Sequence, residues 1–161
     1  MVDRHAAQSR VPVMTHVAAD TSNRLQNQGL DRAVSPALRV LLVDDSPAVR
    51  RSIAERIRPL GHIEVVGEAE NATTGYRFAT DLKPDAVVLD INMPDRSGVW
   101  VLRMLKRDQL DAHVLVFTNH GSDFYRRKCL EAGALAFFDK HVEFDALVGT
   151  LENLADRKLG A

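Results

Sequence analysis

The chain has 161 residues, 45% of them apolar and 27% charged, enough for one ordinary globular domain and too few for two. Its 21 basic and 22 acidic residues nearly cancel to −1, so no basic excess marks a nucleic-acid or anionic-membrane surface, and neither partner is expected. The one cysteine, Cys129, precludes an internal disulfide or a Cys/His metal cluster, and no apolar run nears the ~18 residues of a membrane span, so a soluble, cytoplasmic protein is expected.

Residues 1–36 hold no aromatic, no Ile and no Lys. Such a segment buries too little apolar area to offset chain entropy, and it reads as a flexible tail ahead of a domain at 37–161. From there two patterns alternate. Short apolar runs at 40–43, 63–66, 86–89, 114–117 and 136–138 read as strands covered on both faces. The first helix follows Ser46-Pro47, a cap residue before a proline at the first helical position, and carries Val49, Ile53, Ile57 and Leu60 until Gly61 stops it. A second is expected at 72–81, ended by Lys83-Pro84, and a third at 98–109 with Val99, Leu102 and Leu105 inward. A fourth follows Ser122 and stops at Gly133, and a fifth spans 143–158 with Phe144, Leu147, Val148, Leu151 and Leu154 on one stripe. Alternating strands and helices of this length make a doubly wound α/β domain, whose right-handed crossovers place helices on both faces of a parallel sheet.

In that fold, sites lie at the carboxyl ends of the strands. Here those ends carry Asp44 and Asp45 after the first strand, Asp90 after the third, Thr118 on the fourth and Lys140 after the fifth. Two carboxylates ~4 Å apart repel by about 4 kcal/mol at an effective dielectric near 20, so such a cluster recruits a cation. Mg²⁺, which takes oxygen ligands and keeps waters, suits Asp45 and Asp90 as direct ligands, Asp44 through water, and a backbone carbonyl just past Asp90. An aspartate can attack a phosphoryl group to form an acyl phosphate, and Asp90 is the candidate nucleophile. Lys140 is expected to pair with Asp90 at rest and with the phosphoryl group after transfer, and Thr118 offers a short hydroxyl donor.

The segments VLLVDDSP at 40–47, VVLDINMPDRSG at 87–98, VFTN at 116–119 and AGALAFFDK at 132–140 resemble the receiver domain of two-component response regulators. The resemblance implies a five-stranded parallel sheet in the order 2-1-3-4-5. It implies that Asp90 accepts phosphate from a sensor histidine kinase or histidine phosphotransfer protein. Asp45, Asp90 and the carbonyl of Asn92 would bind Mg²⁺ with help from Asp44, while Thr118 and Lys140 would hold the phosphoryl group. The family's switch couples Thr118 to the aromatic three residues before the lysine, here Phe137. Output would pass to a downstream protein through the fourth helix, fifth strand and fifth helix, a face that includes Phe124 and Tyr125. The basic residues Arg126, Arg127 and Lys128 read as a solvated helix face.

Three departures from the family's usual pattern bear on function. Lys140 is followed by His141 instead of proline, so the loop into the fifth helix is expected to take its own shape. Asn119 is larger than the usual neighbour of Thr118 and is expected to narrow access for water. No output domain is expected, which makes this a single-domain regulator that catalyses only its own phosphorylation and dephosphorylation. Rival readings are an aspartate-nucleophile phosphatase of the haloacid dehalogenase type and a receiver-like interaction module that is never phosphorylated. The first is opposed by Asn92, which stands where that family's general acid would be.

Overall fold

Every residue of the run 40–43 is shut away from solvent, as a central strand covered on both faces requires. A computed structural model describes residues 36–160; the reading of 1–36 as a tail falls, apart from Pro36, outside the described residues. The strands are β1 (Leu38–Val43), β2 (Ile63–Ala69), β3 (Ala86–Leu89), β4 (His113–Thr118) and β5 (Ala136–Asp139). The helices are α1 (Pro47–Ile57), α2 (Ala72–Leu82), α3 (Gly98–Arg107), α4 (Asp123–Glu131) and α5 (Phe144–Gly160). All pairings are parallel, and the order is β2-β1-β3-β4-β5, as the resemblance to receiver domains implied.

Alternation along the strands sorts the core into two layers. Leu41, Val43, Val87, Leu89, Val116 and Phe137 face α2, α3 and α4, meeting Ala79, Val99, Leu102, Leu105 and Cys129. Val40, Leu42, Val88, Leu115 and Phe138 face the other way, against Ile53 and Ile57 of α1 and Leu147, Val148, Leu151 and Leu154 of α5. Each fully buried Leu or Ile contributes about 1.5–3 kcal/mol. At the edge, β2 is only half buried because a single neighbour, β1, flanks it, and Glu64 and Glu68 reach solvent.

Local chemistry sets the ends. Ser46 accepts the Val49 N–H to cap α1. Pro59 has no N–H to continue that helix, whose last turn tightens to a 3₁₀ turn at Arg58–Leu60 before Gly61, at φ 71°, closes it. The helix α3 ends two residues earlier than its pattern suggested, because Gln109 turns left-handed at φ 54°. All strand ends that carry the candidate residues open on one rim. Among the described residues no helix is long and apolar enough to cross a membrane.

Candidate functional site

Asp44 and Asp90 leave neighbouring strands in register. The Asp44 N–H donates to the Ala69 carbonyl at 3.0 Å and the Asp90 N–H to the Val43 carbonyl at 2.9 Å. Both side chains are buried, as few carboxylates are unless paired. Their shared partner is Lys140, whose Nζ lies 2.6 Å from Asp44 Oδ2 and 2.9 Å from Asp90 Oδ2 with its own side chain only 8% exposed. The remaining oxygens find backbone donors: Ser46 N–H on Asp44 Oδ1 at 2.8 Å and Asn92 N–H on Asp90 Oδ1 at 3.1 Å. Asp45 completes the group from solvent, and one oxygen of each of Asp44, Asp45 and Asp90 lies within 4.8 Å of the others.

The charges do not balance. Asp44 and Asp90 share one ammonium with the Asp45 carboxylate close by, and burial, reinforced by Asp90, pushes the Asp44 carboxyl above its ordinary range although Lys140 and the Ser46 N–H pull it down. Burial alone would lower Lys140; its bonds to Asp44 and Asp90 outweigh that and hold the ammonium above the ordinary lysine value. The all-oxygen donor set with surplus negative charge fits a hard divalent cation.

The structure thus brings Asp44, Asp45, Asp90 and Lys140 together, with exposed Asn92 on the same loop. Thr118 ends β4 fully buried, its Oγ1 accepting the His120 N–H at 3.3 Å. Phe137 stands outside the cluster. It pairs with Val116, two residues before Thr118, so ring and hydroxyl share one face of the sheet. Lys140 pairs with Asp90 as expected, and with Asp44 as well. Asn119 is exposed just past β4, and a cavity of roughly 220 Å³ is bounded by Ile91, Asn92, Met93, Ser97, His120 and Tyr125.

Several supporting residues were not legible in the sequence. Arg50 of α1 donates from Nη1 to the Asp44 carbonyl at 2.6 Å and pairs with Glu68 at 2.9 Å, fixing the backbone of the acidic pair. Asp95 accepts the N–H groups of Ala72 and Thr73 at 2.9 Å each and the Thr73 hydroxyl at 2.6 Å, tying the loop after Asp90 to the start of α2. The sequence marks Gly98 as a turn residue, but its need for glycine is spatial: a Cβ there would sit 2.3 Å from the Asp90 carbonyl oxygen. Arg126, read as solvated, instead reaches into the junction of β5 and α5.

Residues 40–152 match the response regulator receiver domain family. The chain belongs to that family. It is 32% identical over 120 residues to the transcriptional regulatory protein MctR of Rhizobium johnstonii, a match covering 74% of this chain and 56% of MctR. It is 35% identical over 118 residues to the nitrate/nitrite response regulator protein NarL of Escherichia coli, covering 72% and 54%. The chain therefore spans about half the length of the curated relatives it matches. Among solved structures, the signal receiver domain of the putative response regulator NarL from Mycobacterium tuberculosis superposes with a TM-score of 0.70 at 26% identity, over 75% of this chain and 98% of that one. The dehalogenase-type alternative is thereby set aside, and this receiver's acidic rim lies where the motifs placed it.

Proposed function

We propose that this receiver accepts a phosphoryl group on Asp90 from the phosphohistidine of a sensor histidine kinase or histidine phosphotransfer protein, with Mg²⁺ as cofactor, and that the phosphorylated domain signals by protein contact. The observation that carries the reading is the gathering of Asp44, Asp45 and Asp90 at one strand-end rim, with Lys140 shared by Asp44 and Asp90. In the transfer, an Asp90 carboxylate oxygen attacks phosphorus, the P–N bond to the donor imidazole breaks, and an acyl phosphate forms. Asp45, Asp90 and the Asn92 carbonyl would hold Mg²⁺, with Asp44 beside them; when bound it neutralises charge on the carboxylates and on the transferred group's oxygens. Lys140, released from its pairing with Asp90, follows the negative charge onto the phosphoryl group, and the Thr118 hydroxyl donates to another of its oxygens. Because Thr118 and Phe137 share a face, a shift of the hydroxyl toward the phosphoryl group is relayed to the ring.

In this reading output runs through the receiver's own surface at α4, β5 and α5, where Phe124 is 58% exposed, and the domain catalyses only its own phosphorylation and dephosphorylation. MctR is named as a transcriptional regulator; for this surface the proposed partner is a protein, with no nucleic acid or membrane. Phosphotransfer profiling against a panel of purified sensor histidine kinases tests the proposal. A donor that transfers to the wild type and not to Asp90→Asn is the expected result; no transfer from any kinase, with none from acetyl phosphate, would contradict it.

A further inference from the structure

We infer that Arg126 and Glu143 are positioning residues for Lys140, holding its ammonium against Asp44 and Asp90 without touching the reacting atoms; this rests on the proposed role of Lys140 in phosphoryl transfer. Arg126 reaches from α4 to donate from Nη1 to the Phe137 carbonyl at 2.8 Å and from Nη2 to Glu143 Oε2 at 3.0 Å. Its guanidinium lies 4.9 Å over the Phe137 ring. The same Glu143 oxygen accepts the Asp139 N–H at 2.7 Å, and the Glu143 N–H donates to the Asp139 carbonyl at 2.9 Å. Lys140 therefore sits in a turn pinned on both sides, at Phe137 and Asp139 before it and at Glu143 after it.

The turn is held by backbone hydrogen bonds more than by packing: His141 is exposed with its N–H on Asp139 Oδ1 at 2.8 Å, and Val142 is 81% exposed. A lysine stem has four rotatable carbons, and holding its end against two buried carboxylates needs a fixed backbone origin. The Lys140 N–H on the Thr118 carbonyl at 2.9 Å sets that origin on β4, and the Arg126–Glu143 pair braces the residues on either side of it.

The arrangement has a signature that loss of stability does not share. Lys140 and a divalent cation would both draw on the negative charge of Asp44 and Asp90. Loosening the brace withdraws the ammonium from that charge, so the cation binds more tightly, while the ammonium serves the phosphoryl group less well and transfer slows. General destabilisation weakens both. Charge is a second confounder and can be separated. Arg126→Ala removes a positive charge, but so does Arg127→Ala at the exposed next residue. Glu143→Gln removes a negative charge, which alone weakens cation binding, whereas loosening strengthens it.

The test uses the full chain, with Mg²⁺ binding measured by calorimetry and phosphorylation by acetyl phosphate measured at saturating Mg²⁺. Expected are Mg²⁺ binding about threefold tighter and phosphorylation at least about threefold slower in Arg126→Ala and Glu143→Gln, with Arg126→Lys recovering most of the loss and Arg127→Ala close to wild type. Should Arg126→Ala fail to fold, Glu143→Gln and Arg126→Lys carry the comparison. The inference is overturned if Arg126→Ala matches Arg127→Ala, if both quantities fall together, or if Glu143→Gln weakens Mg²⁺ binding. A wild type that neither binds Mg²⁺ nor accepts phosphate overturns the site reading and the brace with it, an outcome distinct from a working wild type with indifferent variants.

Discussion

Lys140 lies closer to Asp44 than to Asp90, its Nζ 2.6 Å from one carboxylate and 2.9 Å from the other. The ammonium thus bridges two strand ends whose carboxylates would otherwise face each other unpaired in a buried setting. Removing one member of a buried ionic group costs about 3–5 kcal/mol, because the charges left behind are uncompensated. Lys140→Met is therefore expected to lose stability on that scale and to regain more of it than the wild type does when Mg²⁺ is added. Thermal unfolding with and without Mg²⁺ checks this; equal Mg²⁺ effects on both proteins would refute it.

Asp95 satisfies two of the first amides of α2, while Asn71 takes the Thr74 N–H. A lost cap costs about 1 kcal/mol. Asp95→Ala is expected to destabilise by that amount and to raise hydrogen exchange both at the start of α2 and in the loop after Asp90. Exchange unchanged in that loop would show that the two are not coupled.

Gly98→Ala would place a methyl group against the Asp90 carbonyl oxygen, 2.3 Å away, with Ile91 Cα at 2.8 Å. Backbone cannot yield as a side chain can, and overpacking of this kind costs about 1–3 kcal/mol. The expected result is a destabilised protein with slowed phosphorylation even where it remains folded, measured by denaturant titration and acetyl phosphate labelling.

Much of this architecture is legible in the sequence because it is local. The runs 40–43 and 86–89 are apolar on both faces, so they had to be covered strands, and each terminates in aspartate. The gathering of acidic residues at one rim then follows from parallel topology alone. What was hidden is contact between chain segments that no periodicity links. Asp95 meets Thr73 across 22 residues and Arg126 meets Glu143 across 17. A basic triplet on a helix looks solvated until the neighbouring strand end is placed beside it. Gly98 resembles a turn glycine, whereas its backbone is ordinary and the constraint is the carbonyl across the loop.

At the opposite end of the sheet, Asp85 Oδ2 accepts the Arg39 N–H at 2.7 Å and pairs with Lys158 at 2.6 Å. Burial opposes ionisation there, but the Lys158 ammonium and the Arg39 N–H prevail and hold the carboxyl below its ordinary 3.8. The unfolded chain then binds a proton more readily than the folded one, so this contribution is full above the ordinary value and is lost as pH falls through the folded one. Asp85→Asn is expected to cost about 1 kcal/mol near neutrality, with the difference from wild type closing in acid. Denaturant midpoints across that range test the sign; a gap that widens as pH falls would reverse it.

The most direct measurement is intact-protein and peptide mass spectrometry after incubation with acetyl phosphate and Mg²⁺. A single base-labile phosphoryl adduct on the peptide containing Asp90, absent without Mg²⁺ and absent in Asp90→Asn, is expected. An adduct that persists in Asp90→Asn, or a wild type that takes up no phosphate, would contradict the claim that the acidic rim exists to receive it.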